Sequence, residues 1–374
     1  MMKLRENWFA FLLIFLLLTG CNFTGQQPET PLPGSALGNF PPGTGTPPAL
    51  QPGQQPRATL FPTPTSAPTI TLVPTATTVV LNLTQSVDPF AQYTILALRG
   101  RSYGGGAIEN IGQLGKTKKF IRYSFRYPSD GLNIRGFMNV PLGTGPYPII
   151  LVLHGYSDPS GYVQMDYTTD TADHLADQGY IVIHPDYRNY FPSNSGDALF
   201  RVGYAVDVLN LLEIIKSSSG QAGLLKKADA SRIGIWAHSM GGAIALKVAV
   251  ISHDVKGIFL YSSMSGNDYK NSRYFGLIEV TKDGVRELTA SPEQFAAISP
   301  ETYYPDITAA IQIHHGTADS VIPIAWAKET CQKLKDAGVK TDCFYYDGAE
   351  HTFLSRYMSE FQPRMDAFFS SVLK

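Results

Sequence analysis

The stretch from Ser231 to Gly242 constrains the fold more than any other part of the chain. Ile233, Ile235 and Ala237 alternate with Gly234, Trp236 and His238 in an apolar run too short for a helix, which reads as a buried strand. The run stops at His-Ser-Met-Gly (238–241), and a helix-forming segment, 243–250, follows at once. A strand that reverses into a helix within about two residues crowds the turn. The positions two before and two after Ser239 must therefore be small, and they are Ala237 and Gly241. Alanine stands where glycine is usual in such turns. The serine is held out at the tip, the arrangement in which a hydroxyl serves as a nucleophile. Alone, the motif also fits a buried serine hydrogen-bonded to a carbonyl, so its meaning depends on what the chain brings around it.

The chain has 374 residues, a formal charge of −1 and only 16% charged residues. No basic block or stripe is present, so a nucleic-acid partner is not expected. Met1 to Cys21 reads as a targeting segment. Lys3 and Arg5 precede an apolar core, 8–18, and then Thr19, Gly20 and Cys21. That core is shorter than the ~20 residues a bilayer span needs and fits a signal-peptide core with small residues at the cleavage point. Leu-Thr-Gly-Cys (18–21) resembles the lipobox of bacterial lipoproteins. The resemblance implies loss of residues 1–20, lipid on Cys21, and an exported, membrane-anchored protein. The other reading is an ordinary signal peptide with an incidental cysteine. From residue 21 to 87, proline, threonine, glycine and glutamine dominate, and such a segment cannot bury enough apolar surface to offset its ordering entropy. It reads as a disordered tether, with a catalytic domain spanning 88–374.

Within that domain, residues 119–127 and 132–140 flank a Pro-Ser-Asp-Gly turn and read as an antiparallel hairpin. Apolar strands at 147–153, 180–184, 255–261, 310–314 and 341–346 then alternate with helical patterns at 169–178, 198–216, 323–337 and 353–373. The alternation indicates a mostly parallel sheet with helices on both faces. The stretch 262–305 is looser, and its part from 267 to 299 is expected to cover a substrate pocket.

In such a sheet, sites form at the carboxyl ends of strands. Four features fall there: His154-Gly155-Tyr156, the serine turn, Asp319 in 315–323, and His351 in 347–353. A serine hydroxyl needs a base to take its proton, histidine titrates in the right range, and a carboxylate fixes the imidazole tautomer. Ser239, Asp319 and His351 are thus the expected nucleophile, acid and base. Asp347 and Asp306 are alternative acids, and His351 could instead be a capping or surface histidine. The main-chain N–H groups of Tyr156 and Met240 are the expected donors to a developing oxyanion. His238 is expected to shape the turn, His154 to hold its loop, and His314 and His315 to pack at a strand end. No metal or cofactor is expected, because a zinc site lacks matching Cys or carboxylate spacing. Cys331 and Cys343 either form a disulfide or pack as two thiols.

His-Gly-Thr-Ala-Asp-Ser-Val-Ile-Pro (315–323), Leu-Lys-Asp-Ala-Gly-Val (334–339) and Tyr-Tyr-Asp-Gly-Ala-Glu-His-Thr-Phe (345–353) resemble the catalytic domain of prolyl-oligopeptidase-type (S9) peptidases and the related dienelactone-hydrolase-like esterases. Asp-Ala-Ser-Arg-Ile-Gly-Ile (229–235) and Asp-Gly-Leu-Asn-Ile-Arg-Gly (130–136) are similar to the same group. The resemblance covers roughly 123–374. It implies an α/β-hydrolase fold, the triad Ser239, Asp319 and His351, and oxyanion donors at Tyr156 and Met240. The full-length peptidases carry a β-propeller, for which the residues between the tether and the hairpin do not suffice. They also have tyrosine after the serine, whereas His-Ser-Met-Gly-Gly (238–242) looks more like esterases.

The expected activity is hydrolysis of a small carboxylic ester through an acyl-enzyme, with a short-peptide substrate as the alternative. A catalytically silent surface-binding lipoprotein is the other class. On the lipobox reading, Cys21→Ser moves the protein out of the membrane fraction, measured by fractionation and immunoblot; unchanged membrane partition would contradict it.

Overall fold

The computed structural model describes residues 88–166, 168–275 and 282–374. The expected signal segment, Cys21 and the tether lie outside the described residues. Among the latter, nine strands form one sheet: β1 (Glu109–Lys116), β2 (Phe120–Ser129), β3 (Leu132–Pro141), β4 (Tyr147–Leu153), β5 (Ile181–Pro185), β6 (Ala228–His238), β7 (Val255–Tyr261), β8 (Ala310–Gly316) and β9 (Thr341–Tyr346). Their order is β1-β2-β3-β5-β4-β6-β7-β8-β9. The pairs β1–β2, β2–β3 and β3–β5 are antiparallel, and every pair from β5–β4 to β8–β9 is parallel. This is the α/β-hydrolase arrangement expected from the sequence.

The apolar runs are continuous because helices cover both faces of the sheet. Successive side chains of a strand point to opposite faces. Ile149, Leu151, Ile233, Ile235, Ile258 and Leu260 join one buried cluster with α3 (Val202–Ser218) and α4 (Met240–Ile251). Ile150, Val152, Trp236 and Phe259 join a second with α2 (Thr169–Asp177) and α9 (Ser355–Leu373). Each fully buried Ile, Leu or Phe contributes about 1.5–3 kcal/mol, so the two faces together outweigh any single polar contact discussed below. Among the remaining helices, α1 (Ile95–Arg99) precedes the sheet and α8 (Ile324–Asp336) connects β8 to β9.

Three local features depart from the sequence expectation. β1 was not expected, because almost all of its residues are exposed and two register shifts break its pairing with β2. The looser stretch after β7 contains three short helices, α5 (Asp268–Phe275), α6 (Lys282–Glu287) and α7 (Pro292–Ile298). The last begins with a capping box, in which the Ser291 hydroxyl accepts from Gln294 N–H at 3.2 Å and the Gln294 side chain accepts from Ser291 N–H at 2.7 Å. Regular helix begins at Val202 rather than 198, because Phe200 and Arg201 take φ of 51° and 59°. Glu287 holds that turn by accepting from Phe200 N–H, and the Arg201 guanidinium lies 3.2 Å from Asp268.

One buried ion pair fixes the segment after β5. Asp207 of α3 is fully buried and accepts from Arg188 N–H and Nη2 at 2.8 Å and from the Ser129 hydroxyl at 2.6 Å. These bonds anchor β2 and the 186–190 loop to one point of α3. Removing the carboxylate leaves the buried guanidinium without its charged partner and with Asp197 O as its remaining acceptor. Asp207→Ala is expected to cost about 3–5 kcal/mol in chemical denaturation, whereas Glu109→Ala, which breaks an exposed pair with Arg126, should leave the denaturation midpoint nearly unchanged.

Candidate active site

β6 runs straight into α4, and the single residue between them is Ser239, with φ 55° and ψ −118°. A non-glycine residue there is strained by about 1–3 kcal/mol and persists only where its surroundings hold it. Ser239 N–H donates to Tyr261 O at 3.0 Å, and Ser239 O accepts from Met264 N–H at 3.0 Å. Gly241 is required by close approach, since a β-carbon on it would sit 2.3 Å from Leu153 O. Ala237 is fully buried between Leu153 and Leu260 in the sheet register. The turn is therefore wedged against the end of β4, and Met240 and Tyr156 stand on two touching segments. Met240 opens α4, where main-chain N–H groups have no acceptor within the helix.

The loops after β8 and β9 are built as one unit. Gly316 lies so close to the second loop that a β-carbon would meet Ala349 O at 2.1 Å. Thr317 and Ala318 N–H donate to Tyr346 O and Ala349 O, each at 2.9 Å. Across this junction His351 Nδ1 and Asp319 Oδ2 are 2.9 Å apart. The Asp319 carboxylate is completely buried, while the His351 side chain keeps 18% of its exposure, enough to meet a substrate. Asp319 Oδ1 accepts from Val321 and Ile322 N–H at 2.9 and 2.8 Å. Burial alone would raise its pKa, but the hydrogen bonds from His315, His351 and Ile322 outweigh that and hold the carboxyl well below the usual carboxylate range.

His238 links the serine turn to the histidine. Its ring centroid lies 4.8 Å from that of His351 and 4.5 Å from that of Tyr261, and its Nε2 faces His351 O at 3.3 Å. Burial first, and the neighbouring His351 second, pull its pKa down to about 3. It stays neutral near pH 7 and shapes the site. The Tyr261 hydroxyl accepts from Phe353 N–H, which pins the loop carrying His351. No pattern in the sequence marked Tyr261 for that task.

Asp347 accepts from the Thr317 hydroxyl at 3.1 Å, and Asp306 pairs with Arg99 at 2.7 Å, so neither is the bonded partner of His351. His154 is buried, with Nδ1 2.7 Å from Gly155 O and its ring 4.4 Å from that of Tyr187. Burial, and then His184, lower its pKa to about 4, so it too is neutral. The Tyr156 side chain is half exposed at the rim. His314 packs 4.1 Å from the Phe259 ring and bonds Tyr346 and Gln312. His315 does more than pack: its Nε2 lies 3.2 Å from Asp319 Oδ2. Cys331 of α8 and Cys343 of β9 are joined as a disulfide. Among the described residues no cluster of three or more His, Cys, Asp or Glu is arranged to hold a metal.

The model of the dienelactone hydrolase family matches residues 134–367. The chain belongs to that family. This dienelactone hydrolase family member is 24% identical, over 60% of its length and 83% of the relative's, to a Synechocystis sp. protein provisionally named a carboxymethylenebutenolidase. Its fold is similar to that of acetyl xylan esterase 1 from Thermoanaerobacterium sp. JW/SL YS485, with a TM-score of 0.57 at 18% identity over 76% of this chain and 94% of that one. It is also similar to Pyrococcus horikoshii acylaminoacyl peptidase, with a TM-score of 0.56 at 22% identity over 69% of this chain and 43% of that longer one. All are α/β-hydrolases, and the chain is a serine hydrolase.

On the reading of Ser239, Asp319 and His351 as a triad, Asp319→Asn would preserve the shape of the loop but present a donor to His351 Nδ1 and so favour the wrong tautomer. It is expected to lower kcat by about 10⁴-fold in steady-state assays, whereas Asp347→Asn changes kcat by no more than about threefold.

Proposed function

We propose that this serine hydrolase cleaves carboxylic esters through an acyl-enzyme on Ser239, with His351 as base and Asp319 as its acid partner. The observation that carries the reading is the 2.9 Å contact between His351 Nδ1 and Asp319 Oδ2, made beside the strained turn at Ser239. The Ser239 oxygen attacks the ester carbonyl carbon while His351 Nε2 takes its proton. The carbonyl oxygen becomes an oxyanion and accepts from Tyr156 and Met240 N–H. As the tetrahedral species collapses, the bond to the leaving alkoxide breaks and His351 returns the proton to it. Water, deprotonated by the same histidine, then releases the acid and regenerates the serine. Asp319 stays ionised throughout, because four hydrogen bonds stabilise its charged form.

Two features favour esters over peptides. Met240 follows the serine, as in the esterases that 238–242 resembles, where the peptidases carry tyrosine. The family is named for hydrolysis of a lactone, which is a cyclic ester, and one structural neighbour is an acetyl xylan esterase. The N-terminal sequence supports an exported enzyme anchored by lipid on Cys21, with residues 21–87 as spacer. Several acyl chains at about 0.8 kcal/mol per buried CH₂ would hold it firmly.

Ser239→Ala is expected to abolish fluorophosphonate labelling and to lower kcat on p-nitrophenyl esters by about 10⁴- to 10⁶-fold. Wild-type enzyme should turn over the esters and leave aminoacyl and Xaa-Pro anilides nearly untouched. Hydrolysis of the anilides alone would replace the ester reading with a peptidase.

A further inference from the structure

We infer that His315 is a positioning residue for catalysis, a second histidine donor that aims the Asp319 carboxylate at His351; the inference rests on the triad reading above. His315 ends β8 at its penultimate residue and is completely buried. Its Nε2 faces two acceptors, Ile322 O at 2.9 Å and Asp319 Oδ2 at 3.2 Å. An unprotonated Nε2 would set its lone pair against both, so the proton sits on Nε2 and the imidazole is a shared donor. Its Nδ1 is buried with no hydrogen-bond partner, so a second proton there would be stranded.

One side chain thereby closes the loop between its first residues and Ile322, and it also fixes the rotation of the carboxylate. With Val321 and Ile322 N–H on Oδ1, the carboxyl group has only one direction left in which Oδ2 can meet His351. His315 also draws on the same oxygen that supports His351. Asp319 faces His315, His351 and two main-chain N–H groups, while His351 faces Asp319 and the neutral His238 ring. Loss of the His315 donor concentrates the carboxylate on His351 and favours its imidazolium form. The acid limb of activity is then expected at higher pH.

Asparagine and glutamine separate this role from packing. The amide nitrogen of Asn overlays the imidazole Nδ1, and that of Gln overlays Nε2. In purified full-length enzyme assayed on a p-nitrophenyl ester, His315→Asn should lower kcat by about ten- to a hundredfold with KM little changed. It should also raise the acid limb of kcat/KM by roughly half a pH unit. His315→Gln should recover most of kcat and the wild-type limb. Wild-type kcat and limb in a folded Asn variant overturn the inference, as does an equal loss in Asn and Gln with the limb unmoved. Should the Asn variant fail to fold, the Gln variant decides: near-wild-type kcat and limb support the role, and a large loss in a folded Gln variant overturns it. Ser239→Ala is run alongside. If it is inactive while His315→Asn is unchanged, this inference alone fails; if it is active, the triad reading fails and this one with it.

Discussion

The site depends on how closely two backbones approach at the end of β4. Ser239 occupies a conformation that L-residues avoid, and it is held there because Gly241 lets α4 start almost on top of Leu153. The same contact sets the serine turn beside the segment carrying Tyr156. Hydrogen bonds from both sides of Ser239, to Tyr261 and from Met264, then lock the turn to the strand next door. Strain at the turn is local, while the packing that resists it extends across both faces of the sheet.

The second constraint is electrostatic. A buried carboxylate is costly unless its lone pairs are filled, and the loop 315–322 supplies donors to both oxygens of Asp319. Filling them keeps the group ionised where it would otherwise protonate. His238 and His154 follow the opposite rule. For both, burial outweighs the partners they have and they stay neutral, while His351 keeps part of its side chain exposed.

Much of this was legible in the sequence, for physical reasons that differ by element. The placement of Ser239, Asp319 and His351 at the carboxyl ends of strands could be read because each sits just past a strong apolar run, and the order of those runs fixes which ends of the sheet they reach. Gly241 was readable because close approach leaves no other residue type. β1 was not readable: an edge strand whose residues face water carries no alternation. α5 and α6 were hidden for a related reason, since polar contacts such as those of Asp268 and Glu287 hold them more than any apolar stripe. His315 and Tyr261 lay inside apolar runs and looked like packing. Their tasks come from atoms brought in by distant segments, Ile322 and Asp319 for one and Phe353 for the other, and no local pattern encodes that.

β1 carries a consequence for the molecule in company with its own kind. It ends the sheet, so its outer N–H and C=O groups would form a ready template for another chain, with Ile111 and Leu114 exposed along it. The irregularities between Asn110 and Gly112 and between Gln113 and Gly115 break the spacing a straight partner strand would need. Charged Glu109 and Lys116 close the two ends. Two copies meeting edge to edge would find no straight ladder to extend.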